Sequence, residues 1–216
     1  MLDILFPKIH QEGYRFLLIA AIITFILLLI SKVLGFFCII LTIWVYYFFR
    51  DPHRNSINDN NYLVSPADGI ISQIVETNGP KELRLDNKKF TRVSIFMNVL
   101  NCHVNRTPIS GKISEIFYKP GKFFNASLDK ASEQNERNFI RILSSDKREI
   151  VLVQIAGLIA RRIVCDCKKD QELQQGQRIG MIRFGSRVDI YMEGSKLLIK
   201  EKQTTIAGET LIAKIN

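Results

Sequence analysis

The chain is poor in the residues that most often announce a site. Its 216 residues hold three histidines, four cysteines and one tryptophan. Four cysteines make no disulfide framework at this length: Cys38 sits in an apolar run, and Cys165 and Cys167 form a CxC spacing too short for an ordinary bridge. The pattern is that of a reduced protein on the cytosolic side. His10, His53 and His103 are the only imidazoles, so few groups can move protons near neutral pH. There is no GxSxG elbow, Walker loop, HExxH or CxxC pair, and no RNP, helix-turn-helix or zinc-finger pattern. Acidic residues are also short, at 21 Asp+Glu against 30 Lys+Arg, a net charge of +9. That excess asks for an anionic partner, and without a nucleic-acid motif an acidic membrane surface is the better reading. At 47% hydrophobic and 24% charged residues, a disordered or collagen-like chain is excluded.

One long apolar run is present. From Phe16 to Phe49 only Lys32 carries a charge, which meets the length criterion for membrane insertion. Ser31-Lys32 splits the run into stretches that would rise about 22 and about 26 Å as helix, slightly short of a ~30 Å hydrocarbon core. A hairpin with Lys32 at its tip and a single tilted span both fit. The hairpin is favoured because it spares Lys32 the bilayer centre. Trp44, Tyr46 and Tyr47 suit an interface, and Arg50, His53 and Arg54 follow at once, placing the remainder on the cytoplasmic side of the cell membrane. A cleaved signal peptide does not fit, since the run is about twice a usual h-region and lacks a small-residue cleavage site. The organisation expected is an anchor over 1–49, a polar juxtamembrane linker over 50–62 and a β-rich domain over 63–216.

Beyond the linker the chain reads as short strands. Ile70-Ile71 with Ile74-Val75, Thr91 to Val99, Lys112 to Phe117, Phe139 to Leu143, Ile150 to Ile155 and Leu197 to Ile199 are rich in β-branched and aromatic residues. Turn signals such as Asp68-Gly69, Asn78-Gly79-Pro80 and Pro120-Gly121 separate them. Ala126 to Arg137 reads instead as a loop or a short solvated helix. Near the C-terminus, glycine turns followed by short apolar strands have the rhythm of biotinyl/lipoyl-type barrel sandwiches. The fold class expected is therefore mainly β, a barrel-sandwich soluble domain behind a helical hydrophobic anchor.

Taken singly, the polar residues in these strands have ordinary explanations. His103, at a strand end before Pro108, fits a hydrogen-bonded structural residue as well as a catalytic one. Asp68 in SPADG fits turn chemistry, and Gly185-Ser186 between two apolar stretches fits a plain turn or bulge.

Together, however, the motifs resemble the phosphatidylserine decarboxylase proenzyme family in its short form. The matching stretches are FFRDPHR at 48–54, SPADG at 65–69, NVLNCHVNRTPISGKI at 98–113, YKPGKFFNASLDKASEQNERN at 118–138, QIAGLIARRIV at 154–164 and GQRIGMIRFGSRVDIYM at 176–192. The resemblance implies a zymogen that cuts itself between Gly185 and Ser186, leaving a β chain 1–185 and an α chain 186–216 that stay together as a heterodimer. Ser186 would become a covalent pyruvoyl group, the only cofactor, with no metal and no pyridoxal phosphate. Phosphatidylserine in the membrane would be decarboxylated through a Schiff base on that group, giving phosphatidylethanolamine and CO₂. No nucleic acid is expected as a partner, and higher assembly is left open.

The residue types suit this chemistry. Ser186 Oγ must attack the Gly185 carbonyl, and a glycine there leaves that carbonyl unshielded. The hydroxyl needs a positioned base. The resemblance assigns His103 to cleavage, to proton donation in decarboxylation, or to both, with Asp68 as the relay carboxylate. Arg106 stands where long-form members carry a second histidine. Arg106, Lys122 and Arg137, with Arg92, are the cations expected to meet the phosphodiester and carboxylate of the substrate. Two other classes remain: a membrane-tethered barrel-sandwich adaptor, for which no MKM-like modified-lysine site is present, and a hydrolase using an intact Ser186, His103 and Asp68.

Overall fold

The computed structural model describes residues 6–124, 134–157, 162–183 and 186–215. Contacts divide the chain into two compact units, Met1–His53 and Arg54–Asn216.

In the first unit, α1 (Gly13–Ile30) and α2 (Lys32–Phe48) are separated by Ser31, whose extended backbone (φ −154°, ψ 122°) ends one helix and starts the next. The helices fold back on each other. Thr24 Oγ1 lies 2.8 Å from Thr42 Oγ1 and donates to the Cys38 carbonyl at 3.2 Å, and Gly35 leaves room for Leu28. Small and hydroxyl-bearing residues at the crossing allow close approach of two apolar helices. Elsewhere the helices are bare, with Leu18, Phe25, Leu29, Phe36 and Ile40 exposed. α1 is long and apolar enough to cross a membrane, with a mean hydropathy of 2.4 and only 11% of that window buried within the protein. An apolar helix that buries so little of itself suits a lipid-facing anchor. At the open end of the hairpin Phe16 stacks on Phe49 at 5.1 Å, and the Arg50 guanidinium sits 3.9 Å over the Tyr47 ring.

The second unit is mainly β. Its described strands are β1 (Tyr62–Val64), β2 (Gly69–Asn78), β3 (Lys89–Met97), β4 (Val104–Arg106), β5 (Gly111–Lys119), β6 (Arg137–Leu143), β7 (Glu149–Ala156), β8 (Ile163–Cys165), β9 (Glu172–Leu173), β10 (Arg178–Ile182), β11 (Ser186–Met192), β12 (Ser195–Leu197), β13 (Thr204–Thr205) and β14 (Leu211–Ile215). An eight-stranded sheet runs β13-β2-β3-β11-β7-β6-β5-β9, and two three-stranded sheets run β1-β14-β12 and β4-β10-β8. The named strand pairs are antiparallel.

Two-residue periodicity builds the core. Val93, Ile95 and Met97 of β3, Val188, Ile190 and Met192 of β11, and Ile150, Leu152 and Ala156 of β7 join one buried cluster. The alternate positions Phe90, Val151, Val153, Ile155 and Phe139 pack on the other face with Leu83 and Leu85. β7 is buried along its whole length, which is why its sequence runs apolar without alternation.

The expected long strands are present, with ends moved by at most three residues. The strand expected at Leu197–Ile199 lies at Ser195–Leu197. Ser186, which read as part of a turn, is the first residue of β11. Residues 126–133 of the expected loop or helix, and Gly185, lie outside the described residues. The polar segment 50–62 is bound down at several points: Ser56 Oγ donates to the Gly208 carbonyl at 2.6 Å, and the Asp59 amide to Gln175 Oε1 at 3.0 Å.

Candidate active site at the junction of two sheets

β10 belongs to a small sheet and β11 to the centre of the large one, so the chain changes sheet just before Ser186. Ser186 pairs with Met97 of β3 on one side and Ala156 of β7 on the other. It is fully buried, and its Oγ has no hydrogen-bond partner among the described residues. An orphaned buried hydroxyl costs free energy; Ser94 Oγ on the neighbouring β3 shares that condition, but only Ser186 stands at the start of the strand that enters the large sheet. Ser65 Oγ, for comparison, donates to the Ala67 carbonyl at 2.8 Å.

His103 reaches the same region from the loop after β3. Asn98 and Asn101 pin that loop: the Asn98 amide donates to Asn101 Oδ1 and the Leu100 amide to Asn98 Oδ1, each at 2.8 Å. His103 then begins the run into β4, and its carbonyl accepts from the Ile182 amide at 3.3 Å, four residues before Ser186. The imidazole is fully buried, with Nδ1 3.0 Å from the Asn101 carbonyl. A carbonyl only accepts, so Nδ1 carries the proton in this bond and Nε2 of the neutral ring is the basic nitrogen.

Asp68 is held elsewhere in the network. Its Oδ2 accepts from Arg54 at 2.7 Å and its Oδ1 from the Ala207 amide at 2.8 Å. Gly208 completes this stitch: its amide donates to the Ser65 carbonyl at 2.7 Å, and its positive φ of 78° suits a residue without a Cβ.

The four cations are dispersed. Arg106 is buried and donates to the Gly176 carbonyl at 2.9 Å. Arg137 is buried, shares Glu82 with Lys119 at 3.0 Å each, and lies 5.2 Å from the Phe139 ring. Burial pushes the Glu82 carboxyl up, but the Lys119 hydrogen bond and the nearby charges bring it below its ordinary value. Lys122 is exposed, 5.7 Å from the Phe124 ring. Arg92 donates to Gln73 Oε1 at 2.6 Å.

Two buried polar groups were not read from the sequence. On the inner face, one row from Ser186, Asn138 Nδ2 donates to Gln154 Oε1 and Gln154 Nε2 to Asn105 Oδ1, both at 2.9 Å. Asn105 Nδ2 then reaches the Met97 sulfur at 3.7 Å. On the outer face, Arg187 and Asp189 form a two-pronged ion pair at 2.8 and 2.9 Å, 3% and 1% exposed. The available signals were Gln154 inside an apolar run and two charges alternating with Val188 and Ile190.

Residues 41–213 match the family described as phosphatidylserine decarboxylase. The chain is 65% identical over 214 residues to a Pelagibacter ubique protein named phosphatidylserine decarboxylase proenzyme, covering 99% of this chain and 100% of that one. A Ruegeria pomeroyi protein of the same name is 52% identical over 216 residues, covering 100% and 99%. One from Rickettsia typhi is 51% identical over 210 residues, covering 97% and 91%. Likeness of this degree, end to end and including the strand that opens on the orphaned serine, means that the chain belongs to the phosphatidylserine decarboxylase family.

Proposed function

We propose that this chain is a self-cleaving proenzyme that decarboxylates phosphatidylserine to phosphatidylethanolamine at a membrane surface. The observation that carries the reading is Ser186: a serine with no described partner for its hydroxyl, fully buried, at the first position of a central strand.

Maturation requires Ser186 Oγ to lose its proton and bond to the Gly185 carbonyl carbon as the C–N bond breaks, giving an ester. His103 Nε2 is the base proposed to take that proton. Loss of the Ser186 Cα proton then breaks the ester C–O bond and frees the β chain, 1–185. The residual enamine rearranges and exchanges nitrogen for water oxygen, releasing ammonia and leaving the α chain, 186–216, with a pyruvoyl end. Asp68 is proposed to assist His103. Its described bonds to Arg54 and Ala207 fix the SPADG turn against the 205–208 segment, so its contribution includes holding that frame.

The site suits such a group, since a small polar residue occupies a buried position whose only polar side-chain atom has no partner among the described residues. The pyruvoyl ketone would condense with the headgroup amine and accept the electrons that CO₂ leaves behind. The protein's own work is then to exclude water, which burial of Ser186 and His103 supports, and to return a proton to the substrate carbon from His103. Arg106, Lys122 and Arg137 are proposed to receive the phosphodiester and carboxylate. The two-chain product is proposed to work as a heterodimer on the cytoplasmic face, with its apolar hairpin in the lipid. Its sheets are read as a barrel sandwich.

Ser186→Ala tests this directly. The variant is expected to stay in one piece and to release no CO₂ from phosphatidylserine vesicles. A cut Ser186→Ala chain would reject the acyl shift.

A further inference from the structure

The CxC pair read from the sequence as too short for an ordinary bridge is brought together by the fold. Cys165 ends β8, opposite Gly180 of β10. The Asp166 amide turns back to donate to the Ile179 carbonyl at 3.0 Å. That turn sets Cys165 Sγ 3.5 Å from Cys167 Sγ and 3.6 Å from the Cys167 carbonyl. The two sulfurs differ in setting: Cys165 is exposed and Cys167 is buried.

We infer that Cys165 and Cys167 form a peroxide-sensitive thiol pair, with Cys165 as the attacking sulfur and Cys167 as the resolving one. The contact makes their acidities diverge. With Cys167 S–H as the donor in the Sγ–Sγ contact, that bond and the Asn138 side chain stabilise the charged form of Cys165 and lower its thiol to about 6. The same contact, with burial, pushes the Cys167 thiol up and keeps it protonated. No third His, Cys, Asp or Glu converges on them among the described residues, so two sulfurs at contact distance favour redox chemistry over holding a metal.

The steps balance. The Cys165 thiolate attacks one oxygen of hydrogen peroxide; the S–O bond forms, the O–O bond breaks, and hydroxide leaves to be protonated. Cys167 sulfur then attacks the sulfenic sulfur; the S–S bond forms, the S–O bond breaks, and the departing oxygen takes the Cys167 proton. Two thiols and one peroxide give one disulfide and two waters. A disulfide closed over a single intervening residue and exposed on one side belongs to the readily reduced class, so cytosolic thiols would restore it. The pair is connected to the site region, because β8 is paired to β10, the strand leading to Ser186. Asn138, which donates to Cys165, is also the outer end of the buried amide chain.

Trypsin places both thiols in one peptide, residues 163–168, bounded by Arg162 and Lys168. Full-length protein treated with stoichiometric hydrogen peroxide, then alkylated and digested, is expected to yield this peptide two hydrogens lighter and unalkylated. Dithiothreitol should return it to the doubly alkylated form. Without reductant, a doubly alkylated peptide after peroxide, or one carrying sulfinic acid at Cys165, would overturn the inference. In the untreated protein, alkylation of Cys165 should rise with a midpoint near pH 6, and Cys167→Ala should move that midpoint up towards an ordinary thiol. An unmoved midpoint would remove the proposed coupling. None of these readouts depends on Ser186, so they stand or fall apart from the decarboxylase reading.

Discussion

His103 has two possible duties, and one substitution separates them. If its Nε2 takes the Ser186 proton, His103→Ala is expected to leave the chain uncut, as seen by denaturing electrophoresis. If it serves only turnover, the variant is cut but releases no CO₂. The Arg187–Asp189 pair supports a different prediction. Removing one partner of a buried, two-pronged ion pair strands a charge, at a cost of about 3–5 kcal/mol. Asp189→Asn should therefore lower the melting temperature markedly, and pairing it with Arg187→Met should recover most of the loss. An equal loss in the double variant would show that the pair contributes more than mutual neutralisation. These residues also mark where sequence reading ran out. Ser186, His103 and Asp68 are legible only as members of an ordered motif set, because each one alone has an ordinary turn or strand-end explanation. Gln154 and Asn105 were invisible because one polar residue in an apolar run does not announce a partner in a distant strand.

Strands were legible in proportion to their length. β3 and β7 carry enough β-branched residues to be read directly, whereas β4 and β13 are three and two residues long and hold no period to detect. The hydrophobic hairpin was legible because Ser31-Lys32 interrupts an otherwise uncharged run. What local pattern did not reveal is the change of sheet between β10 and β11, since it depends on partners far along the chain. β10 depends on Gly180, which has a positive φ of 148° where any Cβ would collide with the Val164 carbonyl. Gly180→Ala is expected to cost about 1–3 kcal/mol of strain and to slow cleavage by displacing the strand that delivers Ser186. Unchanged cleavage with lowered stability would confine that strain to the small sheet.

Across the whole molecule, the segment 186–216 is not an appendage. β11 is inserted between β3 and β7, β13 pairs with β2, and β14 lies between β1 and β12. Cleavage before Ser186 would cut one covalent link and leave all of these ladders intact, so the two products should co-elute under native conditions and separate only in denaturant. The intact mass of purified wild-type protein, taken in denaturant, tests the central claim most directly. The account predicts two species, residues 1–185 and residues 186–216, the smaller resisting Edman degradation because its first residue has become a ketone. A single 24.9 kDa chain with an unmodified serine at position 186 would contradict it.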